Sequence, residues 1–270
     1  MLSLDQIESF FPQNLRSFRR NILREYLQCK ILEAVFSSEP GCRLAFLGGT
    51  AIHIIHGNPR FSEDLDFDNR GLSMEEFGRI AQVARRAMTL EGLEVDLALN
   101  TKGNFRANLR FFGILQRLGI TGHREEKLLI HLDAEPQQFD YEPQQTMLHV
   151  FDVFCRINVV PVDILLSQKI CCMLQRQRPI GRDFYDALFL WGKTRPNAEY
   201  LAKKVGISSE DEMWDALEKR CAPLDFRRLS ADLKPFVVDS SEAEKINSFR
   251  EFIAAQRISP DGEKRFRVSD

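Results

Sequence analysis

A short apolar run, Leu44-Ala45-Phe46-Leu47, ends in Gly48-Gly49-Thr50-Ala51, and after twelve further residues comes Asp64-Leu65-Asp66. No other feature constrains the fold as much. A strand that closes on two glycines brings its backbone close to a ligand with no Cβ in the way. Thr50 to His56 reads as the opening turns of a helix, whose N–H groups and dipole favour a phosphate, and Thr50 can add a hydroxyl. Gly57-Asn58-Pro59 stops that helix, and Phe61 to Asp68 alternates with the period of a strand. Asp64 and Asp66 lie two apart, so their side chains leave the same strand face. Paired carboxylates facing a phosphate cradle make a site for Mg²⁺. Two such ions can activate an attacking oxygen and neutralise a triphosphate during in-line displacement. The plainer alternative is a solvated polar face, and Asp68 continues the alternation as such a face would. Arg60 and Ser62, just upstream, strengthen the reading as a site.

The rest of the chain supplies an α/β half followed by a helical half. Ser17 to Phe36 is a long amphipathic helix, with apolar residues at helical spacing and Arg19, Arg20 and Arg24 on the polar face. Ser73, with Glu76 three residues on, forms a capping box for a helix whose core positions are Phe77, Ile80, Val83, Ala84 and Ala87. Leu93–Leu99 and Phe105–Phe112 read as a hairpin around Asn100–Asn104, followed by a strand at Lys127–Asp133, a loop at Pro136–Gln145 and a strand-like run from Val150 to Ile157. From Asp163 the pattern is helical: Asp163–Gln177, Asp183–Thr194, Asn197–Val205, Ser209–Arg220, a weak Ala231–Pro235 and Ala243–Gln256. The changeover lies near Val160 with no flexible linker, so residues 1–160 and 161–258 are expected as two units packed together, with a polar tail at 259–270.

Composition excludes other classes. Hydrophobic residues make up 44% and charged ones 28%, as in a soluble globular protein. The N-terminus lacks a signal-peptide pattern, and no apolar run approaches the length of a membrane span, so a cytoplasmic protein with no membrane association is expected. The six cysteines form no C-x-x-C pair. His53 and His56 form H-x-x-H without the glutamate of a zincin helix.

Phe46-Leu47-Gly48-Gly49-Thr50-Ala51 and Gly57 to Phe67 resemble the signature of the AbiEii/MenT-like nucleotidyltransferases, bacterial toxin components built on the polymerase-β nucleotidyltransferase fold. The resemblance extends to the helix Lys169–Arg176 and to Gly181-Arg182-Asp183-Phe184-Tyr185-Asp186, and covers roughly residues 15 to 195. It implies an α+β fold with a mixed sheet and an appended helical bundle. It also implies transfer of a nucleoside monophosphate from an NTP, with Mg²⁺ or Mn²⁺ as cofactor, and a separately encoded antitoxin as partner.

For the site, the resemblance implies a third metal-binding carboxylate on a later strand. Asp133 is the choice, with Asp96 competing from a cleaner alternating run. Asp64, Asp66 and Asp133 would hold the metal, Asp133 would help deprotonate the acceptor, and Gly48, Gly49 and Ser62 would hold the triphosphate. Lys169 and Arg176, seven apart, share a helix face, Lys169 as a point charge and Arg176 as a planar fork on phosphate. The bland alternative is a solvated basic stretch around Arg176, Arg178 and Arg182. Lys169, Arg182 and Asp183 would complete the pocket from the helical side. Asp183 orients Lys169 or a nucleotide hydroxyl, or simply caps a helix, and Asp186 is the weaker candidate. Scattered arginines suit an RNA acceptor through phosphate contacts, though they are equally ordinary on a neutral chain, and the resemblance implies tRNA first. A protein-nucleotidylating enzyme and a non-catalytic nucleotide-binding protein are the rivals.

Overall fold

The computed structural model describes residues 1–100 and 105–258; the expected hairpin loop around 101–104 and the expected polar tail at 259–270 lie outside the described residues. The chain divides into two units, one comprising Met1–Gly57 and Phe61–Val160, the other Asn58–Arg60 and the chain from Pro161.

The first unit is built on seven strands in one sheet: β1 (Leu44–Leu47), β2 (Leu65–Asn69), β3 (Glu94–Asn100), β4 (Phe105–Phe112), β5 (Leu128–Glu135), β6 (Gln144–Val150) and β7 (Val153–Val159). Their order is β3-β4-β5-β2-β1-β7-β6. β2 pairs parallel with β5 and β1 parallel with β7, while the other neighbours are antiparallel, so the sheet is mixed as expected. The helices are α1 (Leu4–Ser9), α2 (Arg19–Phe36), α3 (Gly48–His56), α4 (Met74–Leu90) and the short α5 (Ile114–Arg117). α2 packs on α4 and β7, and α4 on β3 and β4. Leu65 and Phe67 of β2, Leu132 and Ala134 of β5, and Ala107 and Leu109 of β4 bury themselves in the core with Ile22, Leu23, Phe77 and Ile80 from the helices. Alternation then sends Asp66, Asp68, Asp133 and Arg106 to the opposite face.

Several local expectations are met and several are corrected. The Ser73 capping box forms: its hydroxyl accepts from the Glu76 N–H and the Glu76 carboxylate accepts from the Ser73 N–H. Ser73→Ala is expected to lower stability by about 1 kcal/mol, read as a loss of roughly 2–4 °C in melting temperature. Val83, expected in the core, is 42% exposed; Met88 takes a core position five residues on. The strand expected from Phe61 begins only at Leu65. The reason is that side chains take the carbonyls a ladder would need. The Gln28 amide donates to the Ser62 and Glu63 carbonyls, and the Thr50 hydroxyl to that of Asp64. The single run expected from Val150 to Ile157 is the end of β6 and most of β7, joined by a tight turn. There Phe151 adopts φ 55°, held by its ring packing on Phe11 and Tyr26.

The second unit is helical: α6 (Val162–Gln175), α7 (Gly181–Trp191), α8 (Ala198–Val205), α9 (Glu210–Cys221), α10 (Phe226–Leu233), α11 (Ser240–Glu244) and α12 (Phe249–Ile258). α6 packs on α7, α8 and α9, α7 on α10, and α9 on α12. An aromatic cluster of Phe184, Trp191, Trp214, Phe226, Phe249 and Phe252 ties α7, α9, α10 and α12 together. The weak helix expected at Ala231–Pro235 starts earlier, capped by Asp225, whose carboxylate accepts from the Arg227 and Arg228 N–H groups. The helix expected over Ala243–Gln256 is broken by a 3₁₀ turn at Lys245–Ser248. No described helix is long and apolar enough to cross a membrane.

Candidate active site

The glycine turn and the carboxylates meet in the first unit. α3 begins directly at Gly48, so its opening N–H groups point out of the end of β1, with no side-chain cap from Leu47. Gly48 has φ +81°, and a Cβ built there would stand 2.4 Å from Asp66 Oδ2. Only glycine lets the helix start and the carboxylate come this close. Gly49 and Thr50 are buried behind it. Thr50 is fully buried, and its hydroxyl donates to the Asp64 carbonyl at 2.5 Å. That corrects the expected phosphate contact: the hydroxyl faces inward and holds the main chain of the first aspartate. Ser62 is half-buried on the segment the Gln28 amide fixes.

Asp66 and Asp133 are register partners on the adjacent parallel strands β2 and β5. Partners in register face the same way, so Asp66 and Asp133 share one sheet face, and Asp64 stands just ahead of β2. Asp96 lies on the edge strand β3, with β4 and β5 between it and β2, and pairs with Arg110 at 3.2 Å. The strand order separates the two candidates for a third carboxylate, a distinction sequence alternation left open. Asp68 differs from both upstream aspartates. It is 3% exposed and accepts from the Gln137 N–H at 2.8 Å and the Tyr141 hydroxyl at 2.6 Å. Burial and the neighbouring Asp68 push the Tyr141 hydroxyl well above its usual range. Asp68 is therefore a structural anchor for the 137–141 loop.

Three carboxylates are hard oxygen donors and suit Mg²⁺ or Mn²⁺. Asp133, however, turns both oxygens to Arg106, whose Nε and Nη2 donate at 2.5 and 2.9 Å. Among the described residues no three His, Cys, Asp or Glu side chains are grouped to hold a metal ion. Asp66 and Asp133 suit a divalent cation in donor type and face the same side of the sheet, with a guanidinium engaged on Asp133. His53 pairs with Glu25 at 2.8 Å and packs on Phe61, which gives it a local structural role.

The second unit gathers the other expected residues around a buried charge network. Asp186, fully buried, accepts from Arg60 Nε at 2.5 Å, Arg60 Nη2 at 2.6 Å and the Asn58 amide at 2.8 Å, and Lys169 Nζ stands 2.9 Å away. Burial alone would raise the Asp186 pKa, but Arg60 and Lys169 outweigh it and hold it below the usual carboxylate range. Burial would likewise lower Lys169, but Asp186 and Asp183 outweigh it, so the ammonium is retained. Lys169 also donates to Asp183 Oδ1 at 3.2 Å. Arg176 Nε lies 3.1 Å from Asp183 Oδ2, a charge contact without the alignment of a hydrogen bond. Asp183 is not a helix cap. α7 starts at Gly181 with Ile180 as its N-cap, and Asp183 sits in the first turn. Arg182 places its guanidinium over the Phe236 ring at 4.3 Å. Asp186, ranked low from sequence, is the centre of the network. Asn58, between Gly57 and Pro59, carries only a turn signal in the sequence.

A protein-family model described as "Nucleotidyl transferase AbiEii toxin, Type IV TA system" matches residues 30–266. No curated protein sequence matches the chain. Among solved structures, a protein from Helicobacter pylori, provisionally described as a nucleotidyltransferase, superposes with a TM-score of 0.51 at 18% identity, covering 87% of this chain and 95% of its own. JHP933 from Helicobacter pylori gives a TM-score of 0.49 at 17% identity, covering 87% of this chain and 92% of its own. At such identities the first of these likenesses speaks for the fold.

Proposed function

This chain belongs to the AbiEii nucleotidyltransferase toxin family, and on that premise we propose that it moves a nucleoside monophosphate from an NTP onto an RNA acceptor, tRNA first, in a step that needs Mg²⁺ or Mn²⁺. The observation that carries this reading is the contact of Gly48 with Asp66, which joins a helix start suited to phosphate to a carboxylate suited to metal. Asp64 and Asp66, with Asp133, would hold the ion. When bound, it supplies charge neutralisation on the triphosphate and acidifies the attacking hydroxyl.

This chain's own residues do the rest. The opening N–H groups of α3 at Gly48 and Gly49 receive phosphate oxygens, with Ser62 as a further donor. Thr50 and Gln28 fix the main chain that carries Asp64, so the carboxylates keep their spacing. Within the second unit, Lys169, kept cationic by Asp186 and Asp183, would offer a point charge to a nucleotide phosphate, and Arg176 and Arg182 planar donors. Asp183 positions Lys169. A type IV toxin implies a separately encoded antitoxin as the biological partner.

Purified protein incubated with each α-³²P-labelled NTP, Mg²⁺ or Mn²⁺, and either total tRNA or a bacterial protein extract tests this directly. Label is expected on tRNA with one NTP, and an Asp64→Ala/Asp66→Ala double variant is expected to lose about 10³-fold or more. Label on protein bands alone would replace the RNA acceptor with a protein one. NTP binding without transfer, indifferent to the double substitution, would leave only a nucleotide-binding protein.

A further inference from the structure

We propose that Arg106 is a built-in counter-cation that occupies Asp133 until a divalent ion displaces it, so that this arginine sets the metal affinity of the site. The inference rests on the reading of Asp64, Asp66 and Asp133 as the metal-binding face. Arg106, Asp133 and Asp66 stand in one register row across β4, β5 and β2. Two parallel donors from Arg106 take both Asp133 oxygens, the bidentate geometry that a guanidinium makes best. A divalent ion held by Asp66 and Asp133 would need an Asp133 oxygen, so fork and metal would compete for the same lone pairs.

The latch is built to open. The Arg106 side chain is 49% exposed and the Asp133 side chain 18%, so the pair sits at the solvent edge of the sheet face. Exposed ion pairs are weak and exchange readily, whereas a buried one such as Arg60 with Asp186 would not. Once displaced, the same cation remains beside the face on which the triphosphate is proposed to lie. Arg110, four residues along β4 on the same face and engaged with Asp96, provides an internal control: an arginine of similar exposure with no claim on Asp133.

The test is Mn²⁺ alone titrated into the purified full-length protein, with free Mn²⁺ read by its electron paramagnetic resonance signal. Arg106→Gln is expected to bind Mn²⁺ about tenfold more tightly than wild type, equivalent to about 1.4 kcal/mol. Arg106→Lys, which keeps the charge but loses the fork, is expected to recover most of that gain, and Arg110→Gln to change affinity less than twofold. Adding Asp133→Asn to Arg106→Gln is expected to abolish the gain. Equal affinity in wild type and both Arg106 variants, with binding still lost in Asp64→Asn/Asp66→Asn, would overturn the latch and leave the metal site standing. An equal gain in Arg110→Gln would reduce the effect to bulk charge and also overturn it. Absence of Mn²⁺ binding in every variant would overturn both the latch and the metal reading beneath it. Circular dichroism melts check that each variant is folded; Arg106 is exposed and Arg110 half-buried on β4.

Discussion

Asp186→Asn is expected to destabilise the second unit by about 3–5 kcal/mol, the usual consequence of removing one partner from a buried ion pair. The carboxylate has no exposure and takes donors from Arg60, Asn58 and Lys169. An asparagine keeps the volume but turns an NH₂ toward one of these donors and leaves the Arg60 guanidinium buried without its counter-charge. Thermal unfolding followed by far-UV circular dichroism should show a drop of roughly 6–20 °C. The paired replacement Arg60→Met/Asp186→Leu should recover much of the loss, because neither charge is then buried alone. A double variant as unstable as the single one would mean that shape, and not charge pairing, holds this region. The network also implies a pH dependence. Asp186 has a folded pKa below its unfolded one, so its stabilisation is present above the ordinary carboxylate range and is lost as pH falls through the lower, folded value.

Gly48→Ala is expected to abolish most transfer activity, by about 10²-fold or more, while the fold survives. Two penalties coincide at this position. A Cβ at φ +81° costs about 1–2 kcal/mol of backbone strain, and the same atom would lie 2.4 Å from Asp66 Oδ2. Relief requires the carboxylate or the start of α3 to move by the better part of an ångström, and displacements of that size cost catalysis heavily. Gly57→Ala separates the two penalties. It has φ +76° at the C-terminus of α3 with nothing within 4 Å of a built Cβ, so it carries the strain without the collision. Comparable melting temperatures for the two variants, with activity lost only in Gly48→Ala, is the expected result. Equal activity in both would show that the contact between Gly48 and Asp66 does not matter to the reaction.

Much of this was legible in the sequence because it depends on near neighbours. The period of α2, the Ser73 capping box, the glycine turn before α3 and the two-residue spacing of Asp64 and Asp66 are all encoded within one or two turns of chain. The charged helix face and the family signature lie in the same local windows. What failed locally failed for identifiable reasons. Phe61 to Asp64 alternates like a strand, yet its carbonyls are taken by Gln28 and Thr50. Phe151 carries no turn signal of the glycine or asparagine kind, and long-range ring packing holds its left-handed backbone.

Residue types, helix periods and the Asp-x-Asp spacing were therefore determined by the sequence alone, since each is a short-range relation between side chains and backbone. Only the tertiary structure decided which distant residues meet. It placed Asp133 in register with Asp66 while leaving Asp96 at the sheet edge, because strand order follows from pairing across the sheet. It gave Asn58 and Arg60 to Asp186, 128 and 126 residues away, because a fully buried carboxylate must find donors wherever the fold brings them.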